Sequence, residues 1–462
     1  MDIEHSRASL LEDYVSSVCS QTLDFCNVSL TLLHPGGNDS AYIALWLPLS
    51  SWNGRYMATG GGGLAAGLGE PALHEPVAQG YAVSTTDGGL SLKHTVDPGD
   101  GIWALKPDGS LNEPLIFKLA WRSVHDMAVV SRSIIAQFYG QHPTYSYFTG
   151  CSQGGRQGYA AAAKYPEDFD GIMANAPAVS GVYYTPAAMW PPVVMYNDHV
   201  VPPYCVLEAY QKAITAQCDP LDAATDGLIS DYNLLENCFF DTMALVGMAV
   251  PCPVSSSNVT ITTSRTAVVS KILDGPRGPD GKRLWYGVPP GASFGFLART
   301  VYTGSTWIPQ PFSVAEGNIK YMILRNASYD LSEMTYDDWL MRAGGKLLTW
   351  VGAADDTIPP SGVLRYRDKV EQTLGGFKAV DDFYRLFFAP GVGHCHGGSG
   401  PQVVDDFGAL VDWVENKRPP NVLFARRVNP DGTETTRNWC RYPKQMVYVG
   451  GVVNLADSFA CR

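Results

Sequence analysis

The stretch Tyr145–Arg156 constrains the fold more than any other part of the chain. Aromatic and β-branched residues come first, the pattern Gly-x-Ser-x-Gly occupies residues 150–154, and a run of small residues follows. This order predicts a strand, a sharp turn and a helix, which is the nucleophile elbow that lifts a hydroxyl above a sheet. Ser152 is therefore the predicted nucleophile of a hydrolase. The alternative is an ordinary strand-to-helix turn with no chemical role.

Strands and helices alternate around this stretch. A hairpin is predicted over Asn27–Pro48, a strand that ends in a turn over Tyr81–Gly89, a strand with its exit over Gly171–Pro177, and an amphipathic helix over Val124–Tyr139. Because such alternation is typical of crossover connections between parallel strands, we predict an α/β fold with a doubly wound, mostly parallel sheet.

The alternation stops from about Val179 to Arg342, where the chain is rich in Pro, Gly, aromatic residues and Cys. It resumes with two predicted strands and a closing helix, at Lys346–Gly352, Phe383–Phe388 and Val403–Glu415. We therefore predict a catalytic core formed by residues 1–178 and 345–462, with a lid domain inserted over residues 179–344.

The composition excludes several classes of protein. The chain has 462 residues, of which 45% are hydrophobic and 17% charged, as in a globular protein with a large core. A net charge of −12 without a Lys/Arg-rich run argues against nucleic acid or an anionic membrane as a partner. No apolar run approaches the length of a membrane span.

Cysteines and glycosylation sequons point to the secretory pathway. The 10 Cys residues are scattered and lack paired Cys-x-x-Cys spacing, which favours disulfides over a metal site. Asn-x-Ser/Thr sequons begin at Asn27, Asn38, Asn258 and Asn326. The segment Met1–His5 lacks the basic region and apolar core of a signal peptide. We expect a mature or shortened chain of a secreted glycoprotein; the alternative is a protein that is not secreted.

A serine nucleophile needs a base within hydrogen-bond reach and an acid that orients this base. In folds with a nucleophile elbow the acid follows a late strand, and the base comes after it in the chain. Asp355 is the first carboxylate past the predicted strand that ends at Gly352, with Asp356 as the alternative and a turn-capping aspartate as the non-catalytic interpretation. His394 follows the next strand and is the predicted base, whereas the neighbouring His396 would point elsewhere.

Two cysteines flank the predicted catalytic groups. Cys151 precedes Ser152, and Cys395 follows His394. If the serine and the histidine come together, their neighbours also approach each other and could form a disulfide. Such a bond would contribute up to about 5 kcal/mol through loop closure, and less if other bridges already shorten the loop. The alternative is a pair of unbonded buried cysteines.

The oxyanion of an acyl-transfer intermediate needs preorganised N–H donors. We predict the backbone N–H groups of Gln153, directly after the nucleophile, and of Gly63, in the glycine loop Gly60–Gly63. This loop lacks the Lys-Ser/Thr of a phosphate-binding loop and the spacing of a dinucleotide fingerprint, so we predict no organic cofactor.

The predicted lid contains an acidic loop, Cys218–Asp231. Its carboxylates are closely spaced, and calcium prefers several oxygen ligands from one compact loop. The spacing differs from that of an EF-hand. The residues alone therefore leave a calcium site and a solvated acidic loop equally open.

Together these motifs resemble the tannase and feruloyl esterase family, which also holds a bacterial mono(hydroxyethyl) terephthalate hydrolase. The matching segments span nearly the whole chain: Trp52–Arg55 with Gly60–Gly63, Thr86–Gly89, Gly150–Arg156, Asp170–Ile172 with Ala176–Pro177, Cys218–Asp231, and Pro390–Gly391 through His394–Cys395. The pairing of Cys-Ser with His-Cys is the most specific of them.

The resemblance implies an α/β-hydrolase core that carries a lid. It implies the triad Ser152, Asp355 and His394, the oxyanion donors Gly63 and Gln153, and the bridge Cys151–Cys395. It also implies a structural calcium ion in the lid, bound by the side chains of Asp219, Asp222 and Asp226 and the carbonyls of Ala224 and Leu228. Further implied bridges are Cys218–Cys238 and Cys440–Cys461. Elimination leaves Cys205–Cys252 as a further pair. The chain departs from the family in a shortened N-terminus, which is expected to leave Cys26 without its usual partner, so that either Cys19 substitutes for this partner or both thiols are free.

We therefore expect a serine esterase that cleaves esters of aromatic acids, of the feruloyl, hydroxycinnamoyl or galloyl type. Its substrate would be a small aromatic ester, including those carried by plant cell-wall polysaccharide or tannin, with no nucleic acid or membrane as a partner. One alternative is an esterase or thioesterase acting on a small intracellular or secondary metabolite. Another is a non-catalytic binding module of the same shape.

Overall fold

The structure is a computed structural model. It describes residues 2–34, 40–90, 100–178, 181–222, 225–229, 238–278, 281, 283–336, 347–355, 360–374, 376–382, 384–393, 397–416 and 418–462. Two compact units are present, Met1–Trp339 and Leu340–Arg462. No described helix is long and apolar enough to cross a membrane.

The strands are, in chain order, β1 Asp2–Val15, β2 Thr22–Leu33, β3 Ser40–Pro48, β4 Arg55–Thr59, β5 Ala82–Thr86, β6 Tyr145–Cys151, β7 Gly171–Asn175, β8 Ala249–Cys252, β9 Ser257–Thr260, β10 Thr300–Tyr302, β11 Trp307–Pro309, β12 Leu347–Gly352, β13 Tyr384–Ala389, β14 Gln402–Val403, β15 Val422–Val428, β16 Glu434–Cys440, β17 Met446–Tyr448 and β18 Phe459–Cys461.

The α-helices are α1 His74–Ala78, α2 Glu113–Phe117, α3 Ser123–Tyr139, α4 Gln153–Lys164, α5 Gly181–Ala188, α6 Trp190–Asn197, α7 Tyr204–Cys218, α8 Thr263–Asp274, α9 Ser313–Gly317, α10 Pro360–Leu374, α11 Phe377–Asp381 and α12 Asp406–Asn416. Two π-helical turns, Lys118–Arg122 and Asn318–Ile323, continue α2 and α9.

A seven-stranded sheet in the order β1-β2-β3-β5-β4-β6-β7 organises the first unit. The pairings β1-β2, β2-β3 and β3-β5 are antiparallel, whereas β5-β4, β4-β6 and β6-β7 are parallel. The sheet is therefore mixed rather than mostly parallel. The reason lies in the N-terminal part of the chain, where β1, β2 and β3 pair in antiparallel fashion. Antiparallel neighbours need no crossover helix. The β2-β3 pair confirms the predicted hairpin over Asn27–Pro48.

Apolar residues cover both faces of this sheet. On one face α3 packs over a cluster that includes Leu45, Tyr56 and Phe148. On the other face α1 covers a cluster built around Trp46, whose ring stacks on Phe25 with 4.1 Å between centroids. Because neighbouring residues of a strand point to opposite faces, Leu45 and Trp46 anchor the two layers from consecutive positions.

The segment from 181 to 336 contains helices α5–α9 and two small hairpins, β8-β9 and β10-β11. None of its described strands joins the seven-stranded sheet. This agrees with the loss of strand–helix alternation from about Val179. Along the sequence the first compact unit ends at residue 339 and the second begins at residue 340, and the predicted domain division at 178/179 and 344/345 stays a prediction.

The second unit contains a parallel pair, β12-β13, a β14-β15-β16 sheet and a β17-β18 hairpin. The pairing Leu347↔Tyr384 to Gly352↔Ala389 confirms both late strands predicted from the sequence. Buried Phe387, Leu423 and Trp439 join the parallel pair to the antiparallel sheet through one hydrophobic cluster. The carboxyl ends of β12 and β13 thus lie side by side, where parallel sheets usually carry their functional loops.

Candidate active site

Ser152 stands at a sharp turn between β6 and α4. Its backbone has φ 59° and ψ −115°, a conformation that L-residues rarely adopt, and its side chain is exposed. The turn is fixed by the chain around it, because Ser152 donates its N–H to the Asn175 carbonyl at 3.0 Å. Its own carbonyl accepts from the N–H groups of Arg156 and Ala178, both at 3.0 Å. These are the features of a nucleophile elbow, as predicted.

Close packing explains the glycines of the motif. A Cβ on Gly150 would lie 2.6 Å from the Gly154 carbonyl carbon, and a Cβ on Gly155 would lie 2.2 Å from the Asn175 oxygen. A Cβ on Gly154 would approach the Gly61 oxygen to 2.9 Å. Strand, helix and glycine loop therefore come within backbone contact of each other around Ser152, which side chains would prevent.

The glycine loop lies beside the elbow. Gly60 donates its N–H to the Thr149 carbonyl of β6, and Gly154 of α4 donates to the Gly61 carbonyl, both at 2.9 Å. Gly63 is half-buried with φ 59°. The N–H of Gln153, the first residue of α4, has no partner within the helix because the first turn lacks preceding carbonyls. The elbow and the loop thus come together as expected, while the oxyanion role of Gly63 and Gln153 stays a prediction.

Cavity size does not identify this site. A cavity of about 730 Å³ is lined by residues between Ile214 and Pro290, and none of the predicted catalytic residues lines it. A cavity of about 380 Å³ is lined by Gly60–Gly62, Gly150 and Cys151 and adjoins the elbow. The smaller cavity is the one next to the predicted chemistry.

Asp355 follows β12 in the second unit. Its N–H donates to the Gly352 carbonyl at 3.1 Å, and the preceding Ala354 donates to the Val392 carbonyl at 3.0 Å. The acid's turn therefore contacts the loop that leads to His394. His394 lies outside the described residues, as do Asp356 and His396. The triad Ser152–Asp355–His394 stays a prediction.

The cysteine predictions have different outcomes. The bridges Cys218–Cys238 and Cys440–Cys461 are present, and so is Cys205–Cys252. Among the described residues Cys151 is exposed and has no disulfide partner, and Cys19 and Cys26 are also free thiols rather than a pair. Cys395 lies outside the described residues, so the Cys151–Cys395 bridge stays a prediction.

The acidic loop is partly described. The Asp219 carboxylate is buried and accepts from the N–H groups of Asp226 and Gly227 at 3.3 and 3.0 Å. The Asp226 carboxylate accepts from the Leu228 N–H at 3.0 Å. The side chain of Asp222 and all of Ala224 lie outside the described positions. No three His, Cys, Asp or Glu side chains of the described residues form a metal-binding group.

The described residues of this loop offer the type of ligand atom that calcium prefers. A carboxylate oxygen has two lone pairs, so those of Asp219 and Asp226 keep accepting capacity after each of these hydrogen bonds. Oxygen donors on one short loop are what a hard cation prefers. The calcium site stays a prediction.

Sequence reasoning missed a polar network behind the elbow. Arg156 donates from Nε to the Gln153 side-chain oxygen at 2.8 Å and from its two terminal nitrogens to the carbonyls of Ala120 and Leu119 at 3.0 and 2.9 Å. Gln153 Nε2 also donates to the Leu119 carbonyl at 3.1 Å. Burial lowers the pKa of the Arg156 guanidinium. The network ties the first turn of α4 to the π-helical turn at 118–122, a long-range contact that no local pattern announces.

His125 of α3 has a packing role away from the predicted triad. His125 lies 2.7 Å from the Asp168 carboxylate and stacks on the Tyr165 ring at 3.9 Å between centroids. Arg132, two turns further along α3, forms an ion pair with the same Asp168 carboxylate at 3.1 Å.

The family described as "Tannase and feruloyl esterase" matches residues 26–337 and 324–462. The chain belongs to the tannase and feruloyl esterase family. A protein of Arthroderma benhamiae, described as a probable feruloyl esterase, is 42% identical over 470 residues, which cover 95% of this chain and 86% of that protein. Feruloyl esterase B of Aspergillus niger is 28% identical over 495 residues, covering 97% and 89%.

Solved structures of the family have the same fold. The tannin acyl hydrolase from Aspergillus niger matches with a TM-score of 0.65 and 24% identity, covering 100% of this chain and 91% of that chain. Feruloyl esterase B from Aspergillus oryzae matches with a TM-score of 0.57 and 25% identity, covering 100% and 96%. The mixed sheet with its helices is thus α/β-hydrolase-like, as the family resemblance implied.

Proposed function

We propose that this protein is a serine carboxylic ester hydrolase that cleaves esters of aromatic acids, of the feruloyl, hydroxycinnamoyl or galloyl type. The observation that carries the proposal is the elbow itself, with exposed Ser152 at φ 59° in a chain of this family. The relatives are named for feruloyl ester and tannin hydrolysis, which favours this function over the alternative of an intracellular metabolite esterase. An elbow that retains an exposed serine also argues against a non-catalytic binding module.

In the proposed mechanism the Ser152 Oγ attacks the acyl carbon while His394 takes its proton, and Asp355 orients the imidazole. The oxyanion accepts hydrogen bonds from the Gly63 and Gln153 N–H groups. As the carbon–oxygen bond to the alcohol breaks, the imidazolium returns the proton to the leaving oxygen. Water, deprotonated by the same histidine, then attacks the acyl-enzyme and releases the aromatic acid.

We assign residues 179–344 to a lid over the core and a structural calcium ion to Asp219, Asp222, Asp226 and the carbonyls of Ala224 and Leu228. We also assign secretion and glycosylation, supported by the exposed sequon residues Asn258 and Asn326. Substrates would be small aromatic esters, including those on plant cell-wall polysaccharide or tannin.

The test compares Ser152→Ala with the wild-type enzyme on methyl ferulate, methyl gallate and a terephthalate ester. The variant is expected to lose hydrolysis and labelling by a fluorophosphonate while keeping its melting temperature. Ser133→Ala, at an exposed serine on α3, serves as the matched control and should keep full activity. Unchanged hydrolysis by Ser152→Ala would contradict the proposal, and the ranking of the three esters assigns the acid preferred.

A further inference from the structure

Gln157 joins Gly61, in the glycine loop, to Ala66, three residues after that loop. It lies on α4, and its side chain is fully buried. Its Oε1 accepts from the Gly61 N–H at 2.9 Å, and its Nε2 donates to the Ala66 carbonyl at 3.1 Å. Because one partner is a donor and the other an acceptor, the amide has a single orientation that satisfies both.

The loop between these contacts needs external support. A Cβ on Gly61 would lie 2.1 Å from the Ala65 oxygen, so the chain doubles back within a few residues. One internal hydrogen bond closes this turn, from the Ala65 N–H to the Gly62 carbonyl at 2.9 Å. Glycine backbone is otherwise free to adopt many conformations. The position of Gly63, near the tip, therefore depends on what holds the two ends.

Helix α4 supplies that support at two points. Gly154 donates its N–H to the Gly61 carbonyl at 2.9 Å, and Gln157, one turn later, contacts both Gly61 and Ala66. The same helix begins at Gln153, the other proposed oxyanion donor. One rigid element thus carries one donor and holds the loop that carries the second.

We propose that Gln157 is a positioning residue of the oxyanion hole: its side-chain amide fixes the Gly63 N–H relative to the Gln153 N–H. This inference rests on the proposed function of Ser152 and of these two donors. The negative charge that the donors stabilise develops only in the transition state, so loosening one donor lowers kcat and leaves KM nearly unchanged.

The expected loss of kcat follows from the contribution of one oxyanion donor to catalysis. Loss of one oxyanion donor lowers kcat by about 10²- to 10³-fold, and a misplacement of about 1 Å costs about 10²-fold. Gln157→Leu keeps the approximate volume but removes both hydrogen bonds. We expect its kcat to fall by about 10- to 100-fold, with KM changed by less than about 3-fold and the rate of fluorophosphonate inactivation reduced in parallel.

Gln157→Glu separates positioning from a general loss of stability. A neutral carboxylic acid offers a carbonyl acceptor and an O–H donor, as the amide does, whereas a carboxylate offers acceptors alone and would face the Ala66 carbonyl. Burial raises the pKa of such a group above about 4.3. The ratio of kcat for Gln157→Glu to wild-type kcat should therefore rise as the pH is lowered, and the ratio for Gln157→Leu should stay flat.

Asn197→Asp is the matched control. The Asn197 amide also joins separate segments, because Nδ2 donates to the carbonyls of Val193 and Met334 and Oδ1 accepts from the Tyr336 N–H. This variant makes the same change from amide to acid away from the glycine loop. Its kcat ratio to the wild-type enzyme should stay near one at every pH, whatever happens to its melting temperature.

The measurements distinguish a failure of the proposed function from a failure of the role of Gln157. Wild-type protein that is neither active nor labelled by fluorophosphonate would overturn the proposed function. Active wild type together with a Gln157→Leu variant whose kcat is within about 2-fold of wild type would overturn the role of Gln157 alone. A flat pH ratio for Gln157→Glu would also overturn it. If Gln157→Leu fails to fold, the pH series of Gln157→Glu decides.

Discussion

Replacing Gly155 by alanine tests how tightly the elbow is packed. Gly155 is buried in the first turn of α4, and a Cβ there would lie 2.2 Å from the Asn175 oxygen and 2.9 Å from the Pro177 Cα. Both neighbours are backbone atoms at the exit of β7, so no side chain can rotate away. The helix and the strand exit must move apart by roughly 1 Å to reach ordinary non-bonded separation.

Two opposing terms set the expected magnitude. Alanine is favoured over glycine in a helix by about 1 kcal/mol, whereas overpacking a core costs about 1–3 kcal/mol and more when backbone has to shift. We expect Gly155→Ala to lower the free energy of unfolding by about 1–2 kcal/mol net. The Asn175 oxygen that is pushed away also accepts the Ser152 N–H, so the nucleophile moves too. A displacement of about 1 Å at the reacting group lowers kcat by about 10²-fold.

Urea unfolding and steady-state hydrolysis of methyl ferulate measure the two effects. Ala162→Gly, at an exposed position of the same helix, is the control for intrinsic helix preference. It should lower the free energy of unfolding by about 1 kcal/mol and leave kcat intact. If Gly155→Ala is as stable as the wild-type enzyme and hydrolyses the ester at an equal rate, the packing around the elbow is looser than the structure implies and the reasoning fails.

Three further predictions concern stability. Burial raises the pKa of Tyr56 to about 12, so the stability present below pH 10 should fall as the pH rises from about 10 to about 12, by up to about 3 kcal/mol. Tyr56→Phe, which removes the 2.7 Å contact with Ser84, should abolish that part of the slope in urea unfolding at successive pH values; an unchanged slope assigns it elsewhere. Exchanging both Cys440 and Cys461 for serine should lower the free energy of unfolding by about 2–4 kcal/mol. Unfolding of the variant and of the wild-type enzyme is measured with and without reductant. A loss below about 2 kcal/mol in the absence of reductant would contradict this prediction. Removing calcium with a chelator should lower the melting temperature and added calcium should restore it, except in Asp219→Asn; equal melting temperatures before and after chelation would contradict the calcium site.

Local signals predicted the elbow well. The strand β6 ends at Cys151 and helix α4 begins at Gln153, as the order of aromatic, glycine and small residues indicated. Strands β12 and β13 were equally visible because each is a largely apolar run between loops. The position of Asp355 directly after the first of them follows from the same pattern.

Features that depend on distant contacts were not predictable. Strand β1 is mostly exposed and polar, so its sequence has no regular alternation, and it exists through its pairing with β2. The mixed character of the sheet depends on the antiparallel pairing of these N-terminal strands. The roles of Arg156 and Gln157 depend on carbonyls far away in the sequence, at Leu119 and at Ala66. No local sequence pattern identifies hydrogen-bond partners that are so distant along the chain.

At Ser152, with a φ of 59°, the residue that catalysis needs differs from the residue that would make the fold most stable. Glycine adopts this conformation freely, whereas serine holds it at a cost of about 1–3 kcal/mol that neighbouring contacts must balance. Selection for thermal stability alone would therefore favour glycine at this position and yield a more stable but inactive protein. Directed-evolution campaigns on this scaffold need a turnover screen in every round, since heat challenge by itself rewards the loss of the nucleophile.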